Sequence, residues 1–222
     1  MRIDNEYQQD DKIDIRAEIE LTYGLLFIYK NPNYDSIEDL VSFEIGDHIT
    51  EIGDECFADY DNFNTIIVPS SVTKLGIGSF KNMRKLKELI LPNSITQIGK
   101  DCFRENVNLT SLTLPTNIAD IPENCFKGCK NLESIHIPSS VTKIEKNSFF
   151  NCISLHQIEL PKQLLIKFME ELTSKTKKHY NIEELEFPLT IDFEKDEIPF
   201  YFKNFKLNFF CSCQNLKTLV FY

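Results

Sequence analysis

Apolar residues in the middle of this chain recur with a fixed period. Pro69, Pro92, Pro115, Pro138 and Pro161 stand 23 residues apart, and fixed spacing of this kind is the signature of a repeat architecture. Counting from each Pro as offset zero, apolar side chains fall at offsets 3, 6, 11, 17, 20 and 22. The coil at Pro92 reads Ile95, Ile98, Phe103, Leu109, Leu112 and Leu114; the coil at Pro115 reads Ile118, Ile121, Phe126, Leu132, Ile135 and Ile137. Gly46 stands where an earlier Pro would, followed by Ile49, Ile52, Phe57, Phe63, Ile66 and Val68. Across the five coils of 46–160 every such position is apolar. At 42% apolar content a shuffled chain would do this with a probability on the order of 10⁻¹¹ in a preset register, so the repeat is not chance.

Each coil can be read into elements. Its tail alternates apolar and polar residues, which suits a short strand with one face inward. Pro ends that strand, because it has no N–H for a ladder, and small polar pairs such as Ser70-Ser71 and Asn93-Ser94 suit the turn that follows. The Phe at offset 11 fills the centre. One coil cannot bury six apolar side chains alone, whereas stacked neighbours can. The pattern predicts parallel strands near 66–68, 89–91, 112–114, 135–137 and 158–160, joined in one sheet with neighbours about 4.8 Å apart.

The ends follow the period with errors. Residues 1–22 read as an N-terminal cap, with alternation over 13–23 predicting a strand and a helix as the alternative. The solenoid then runs over 23–222. A degenerate coil at 23–45 places Leu26, Tyr29, Tyr34, Leu40, Phe43 and Ile45 at the six offsets. Residues 161–187 read as a stretched coil ending Ile182, Leu185, Phe187, with Leu164, Leu165, Phe168, Met169 and Leu172 forming the stripe of an amphipathic helix. Residues 188–198 fit no coil and read as a loop or small β excursion. Pro199 restarts the register through Phe202, Phe205, Phe210, Leu216, Leu219 and Phe221.

The consensus L-P-x-x-[IV]-T-x-I-G-x-x-[CA]-F-x-x-C-x-x-L-x-x-[IL]-x-[IL]-P closely resembles the BspA-like leucine-rich repeats, the treponemal class with a central Phe. The match is clean over about 46–160 and good over 199–222. The resemblance implies an α/β solenoid, a right-handed stack of coils with one short-stranded parallel sheet and an irregular or short-helical opposite flank. It also implies protein binding, with bacterial and protozoan members often associated with surfaces and adhesion.

Charge and composition narrow the function. The 222 residues carry a net charge of −10, which argues against nucleic acid as a partner, and no apolar stretch is long enough to insert in a membrane. Residues 1–61 hold 17 acids against 4 bases, so one end is acidic and the rest nearly neutral. No secretory signal pattern opens the sequence, which predicts a cytoplasmic location, with export to the cell surface by a non-classical route as the alternative.

Candidate chemistry is sparse. Cys56, Cys102 and Cys125 share offset 10, and Cys129, Cys152 and Cys213 share offset 14. Repetition at fixed offsets reads as packing slots for a small thiol, with no disulfide expected, and no pair of C-x-x-C motifs offers a metal site. His136 or His156 could pair with Cys152 as base and nucleophile, though nothing in the sequence requires it. With 7 Gly and no phosphate-loop or dinucleotide pattern, no cofactor and no catalytic activity are expected. Thr50, Thr73, Thr96 and Thr142 at offset 4 read as a structural hydroxyl ladder.

What remains is a surface. Offsets 19 and 21 point away from the core when 20 and 22 point in. They form two columns, Thr65/Ile67, Glu88/Ile90, Ser111/Thr113, Ser134/His136 and Gln157/Glu159, preceded by Ser42/Glu44 and continued by Glu184/Glu186 and Thr218/Val220. These columns are the expected protein-binding face of an interaction scaffold. A surface adhesin and a regulatory subunit of an enzyme are the alternatives. The aromatic final coil, 199–222, suggests a weak homodimer if it is left bare.

Overall fold

The structure, a computed structural model, describes residues 25–26, 45–61, 63–176, 186, 189–194, 198–210 and 212–222. The cap expected at 1–22 lies outside the described residues, as do Tyr29, Tyr34, Leu40 and Phe43. In chain order the elements are β1 (Leu25–Leu26), β2 (Glu51–Ile52), β3 (Thr65–Ile67), β4 (Lys74–Leu75), β5 (Glu88–Ile90), β6 (Gln97–Ile98) and β7 (Asp120–Ile121). They continue with β8 (Ser134–His136), β9 (Lys143–Ile144), β10 (Gln157–Leu160), α1 (Lys162–Thr176), β11 (Leu189–Asp192), α2 (Phe200–Phe210) and β12 (Thr218–Phe221).

The coils stack as a β-solenoid whose neighbours pair 23 residues apart, with Ile52 opposite Leu75 and Ile66 opposite Leu89. Phenylalanine runs through its centre. Phe57, Phe80, Phe103, Phe126 and Phe149 are wholly buried. Their ring centroids are 5.1, 6.2, 5.3 and 5.3 Å apart in near-parallel stacks, and Phe210 adds a sixth ring 5.4 Å beyond Phe149. Of the thirty apolar repeat positions all are buried except Leu91 and Ile98, which are half-buried.

Three lines of hydrogen bonds tie coil to coil. The first is the expected tail strands. The second is a stack of two-residue strands at offsets 5 and 6, which the sequence had not suggested. The third runs along a turn flank, where the N–H groups at offsets 9, 11 and 13 reach the next coil. Glu55, Phe57 and Asp59 donate to the carbonyls of Ile77, Ser79 and Lys81 at 2.7, 2.8 and 2.9 Å. The turns that aim these groups need left-handed backbone at offsets 9 and 13: Glu55, Gly78, Asp101, Asn124 and Asn147 in one column, and Asp59, Asn82, Glu105, Gly128 and Asn151 in the other. Gly, Asn and Asp fill most of these slots because they tolerate positive φ best. The opposite flank is therefore made of turns and strands within the regular coils, not short helices.

The ladders are not continuous. The tail strands pair as β3–β5 and separately as β8–β10–β12–β11, while the expected strand at 112–114 is not laddered. The offset-6 stack likewise splits into β1–β2–β4–β6 and β7–β9. Pro122 explains the second break. At its offset the N–H groups of Gly76, Gly99 and Glu145 donate to Ile52, Leu75 and Ile121 at 2.8, 2.8 and 2.9 Å, and a proline has no N–H to give. The half-buried Ile98 sits beside this gap.

Both ends depart from the period. Leu26 pairs with Ile52, 26 residues on instead of 23, so the first coil is three residues longer than expected and Leu26 takes the place assigned to Tyr29. At the other end β12 pairs directly with β10, so no strand from 182–187 lies between them; Ile182, Leu185 and Phe187 are outside the described residues. The chain instead leaves the sheet after Pro161. It forms α1, burying Leu164, Leu165, Phe168 and Met169, and returns as β11 antiparallel to β12. The excursion expected within 188–198 is thus a strand. The last coil carries α2, with Phe205 packed edge-on to Phe168 at 5.1 Å and to Phe221 at 5.3 Å. Phe202, Phe205, Phe210 and Phe221 are buried and the outer edge of β12 is taken by β11. The aromatic end is covered by its own chain.

Replacing Phe103 by Ala opens a cavity between the rings of Phe80 and Phe126 and should cost about 3–5 kcal/mol. Urea unfolding should show this as a lower midpoint with an unchanged slope; a loss below about 1 kcal/mol would mean the ring column is not close-packed.

Candidate functional site: the sheet face

The tail strands present one face to solvent because the other is spent on the core. In β5 the pattern is exposed Glu88, buried Leu89, exposed Ile90, and β8 repeats it with Ser134, Ile135 and His136. None of the ten residues expected on the binding face is buried: Ile67, Glu88, Ile90, Ser111, Thr113, Ser134 and His136 are exposed, and Thr65, Gln157 and Glu159 are half-buried. The ladder brings Ile67 beside Ile90 and Thr65 beside Glu88. Further on it sets His136 beside Glu159 and Ser134 beside Gln157. Ser111 and Thr113 lie on the unladdered stretch between the two groups. Because β12 follows β10 directly, Thr218 and Val220 adjoin Gln157 and Glu159; Glu186 is exposed but not in that pairing, and Ser42, Glu44 and Glu184 lie outside the described residues.

The first group is apolar. Ile67 and Ile90 are 59% and 45% exposed, and burial within their own coils does not account for them. The second group is polar and closely wired. Tyr222 Oη donates to the Ile137 carbonyl at 2.5 Å and lies in hydrogen-bond contact with His136 Nε2 at 3.1 Å. Glu159 Oε2 accepts from His136 Nδ1 at 2.9 Å, and its Oε1 accepts from Gln157 Nε2 at 3.3 Å. Burial, with the Glu159 charge nearby, pushes the Tyr222 phenol up from its ordinary value and keeps it a donor. The Tyr222 ring also stacks on His136 at 4.9 Å. A shallow hollow of about 110 Å³ lies among Ser134, His136, Gln157 and Glu159.

The other candidate chemistry is structural. Cys129, Cys152 and Cys213 donate through Sγ to the carbonyls of Phe103, Phe126 and Phe149 at 3.1, 3.0 and 3.2 Å. Asn106 occupies the same slot and donates to Phe80 at 2.8 Å. The thiol is thus the hydrogen-bond donor for the ring column's backbone. Cys152 is wholly buried in this role while His136 and His156 are exposed, so they do not form a base and nucleophile. Cys102, at offset 10, lies 3.2 Å from the Ser79 hydroxyl. Thr73 and Thr96 donate through Oγ1 to the carbonyls of Thr50 and Thr73 at 3.3 and 3.4 Å, the hydroxyl ladder expected of that column.

A family model for the BspA type leucine rich repeat region matches residues 50–175 in six copies. The chain belongs to the BspA-type leucine-rich repeat family. Among solved structures, this repeat protein is 34% identical to a leucine rich cell surface protein from Faecalibacterium prausnitzii, with a TM-score of 0.51 over 52% of this chain and 31% of that one. It is 25% identical to a leucine-rich repeat protein of T. pallidum, with a TM-score of 0.49 over 50% of this chain and 52% of that one. The chain therefore matches about half of one relative and a third of the other. No curated protein matches it.

Within this repeat frame the residue that sequence reasoning missed is Tyr222. Its signal was available. Phe221 points inward, so the alternation of the last strand sends Tyr222 outward, to the same side as His136.

Burial pushes the thiols of Cys102 and Cys129 up to about 12, and those of Cys125 and Cys152 well above the ordinary range. The folded protein therefore holds these protons at pH values where the unfolded chain, with thiols near 8.5, releases them. The stability this contributes is complete below about pH 8.5 and is lost as pH rises toward 12. Under reducing conditions, urea midpoints should be lower at about pH 9.5 than at about pH 7. Equal midpoints would show that the thiols are not shielded.

Proposed function

We propose that this protein is a non-catalytic protein–protein interaction scaffold that binds a protein partner through the sheet face of its repeats. The observation that carries this reading is the exposed Ile67–Ile90 pair, set on laddered strands and followed along the same face by the polar cluster of His136, Glu159 and Tyr222. An apolar anchor ringed by polar groups is how protein interfaces concentrate their affinity. The coil-to-coil ladder fixes the backbone beneath, so little ordering cost falls on binding. The groups around His136 are mutually satisfied and offer orientation and charge instead of a nucleophile. The anchor needs no cofactor.

The likeness to a cell surface protein of F. prausnitzii supports a second reading, in which the same face serves a surface adhesin or matrix-binding protein. Among the described residues no helix is long and apolar enough to cross a membrane. A cytoplasmic scaffold, including one that serves as a regulatory subunit of an enzyme, uses the face in the same way, and cell fractionation separates the two locations.

Affinity capture with the wild-type chain, read by mass spectrometry, should return a partner whose recovery falls at least about tenfold with Ile67→Asp or Ile90→Asp, the loss expected when a central anchor is removed. His136→Ala should weaken it as well. Melting midpoints of the two Ile variants should barely change, because exposed substitutions outside hydrogen-bond networks shift stability by about 0.5 kcal/mol or less. Undiminished recovery with all three variants would place the partner elsewhere on the molecule.

A further inference from the structure

The turn flank carries a second feature unrelated to the sheet face. At offsets 12 and 15 three consecutive coils present Lys81 and Arg84, then Arg104, then Lys127 and Lys130. Coils stack about 4.8 Å apart, so five cations line a short stretch of the solenoid axis in a chain whose net charge is −10. Four of them converge on a groove of about 410 Å³, in which Glu105 is the one carboxylate.

Their charges are compensated in part. Arg104 meets Asp101 at 3.3 Å and Lys81 meets Glu55 at 3.9 Å. Arg84 Nε donates to the neutral Asn82 side chain at 3.1 Å and the Arg84 backbone N–H donates to Asp61 Oδ1 at 2.9 Å, Lys127 lies 5.6 Å above the Phe150 ring, and among the described residues neither the Arg84 guanidinium nor Lys130 forms an ion pair. Arg104 Nε is shielded from water and has no partner among the described residues. A cation cluster with an unsatisfied N–H in its wall is costly unless something anionic completes it. In the next coil the same two offsets hold Phe150 and Ile153, 41% and 38% exposed, so the basic columns end on an apolar platform.

We propose that this groove binds a linear anionic polysaccharide carrying sulfate or carboxylate groups, laid along the solenoid axis with one sugar face against Phe150. The repeat of cations from coil to coil suits a polymer with repeated charges better than a single ion. An extended peptide is disfavoured because the flank offers no free strand edge. Its N–H groups at offsets 9, 11 and 13 are already used between coils, so strand addition has nothing to pair with. Of the acidic residues concentrated in 1–61, Glu55, Asp59 and Asp61 border the groove at the Lys81–Arg84 coil, so the anion is held toward Arg104 and Lys130.

The test is fluorescence anisotropy of a labelled heparin octasaccharide with the full chain at low salt, with inorganic sulfate, a deca-glutamate peptide and a deca-thymidine oligonucleotide as competitors. The wild type should bind, with affinity falling as salt rises. Arg84→Glu with Lys130→Glu should weaken binding at least tenfold and Phe150→Ala severalfold, each with a wild-type melting curve. Lys143→Glu, on the other strand stack, should bind as wild type. Absence of binding at low salt, or wild-type affinity in the double variant, would overturn the site. Equal displacement by the peptide or the oligonucleotide at matched charge would overturn the polysaccharide assignment.

Discussion

A coil of 23 residues cannot satisfy its own backbone. Its few apolar side chains could collapse in several ways, and its turns close some bonds within the coil, but the groups on its strands and the N–H groups at offsets 9, 11 and 13 find partners in the coil before or after it. That requirement fixes the register here. Offset 6 faces offset 6, the N–H at offset 11 reaches the carbonyl at offset 10 of the next coil, and the donor at offset 14 turns back to the Phe carbonyl of the previous one. The ring column follows from the same constraint. Once the backbones are locked, one Phe per coil has nowhere to go but above the last.

The departures obey the same accounting. Where Pro122 removes a donor, two strands separate and Ile98 is left partly open, while the turn flank still holds the coils through Phe103 N–H and the Cys125 carbonyl at 3.0 Å. Where α2 replaces the turns of the last coil, side chains take over the bonding. Ser212 Oγ accepts from the Asn151 N–H at 2.8 Å and Cys213 serves the Phe149 carbonyl. The edge of the final strand, otherwise open to association, is closed by β11.

Much of this was legible in the sequence because burial leaves a periodic trace. The thirty apolar positions, the helix after Pro161 and the outward columns could all be read from spacing. The second strand stack could not, because two residues are too few to alternate. The three-residue slip that puts Leu26 beside Ile52 was hidden because Tyr29 fits an apolar pattern equally well. Glu55 and Glu105, at positive φ, mask the Gly, Asn and Asp preference that would have announced the turns. On the site, the pairing of Ile67 with Ile90 followed from the period, whereas the bond from Tyr222 to His136 joins residues 86 apart in sequence and follows no repeat spacing.

The slot shared by Asn106, Cys129, Cys152 and Cys213 bears on how such a chain can change its length. Each donor serves the ring carbonyl of the coil before it, so the bond belongs to a junction and not to either coil. Excising residues 115–137 as a block would bring Cys152 against the Phe103 carbonyl that Cys129 now serves, and would remove Pro122 with them. Every junction would be remade from equivalent parts. A gene duplicating or losing segments in units of 23 codons would pass from one folded length to another without a poorly matched intermediate, and the sheet face would lengthen or shorten by one coil at a time.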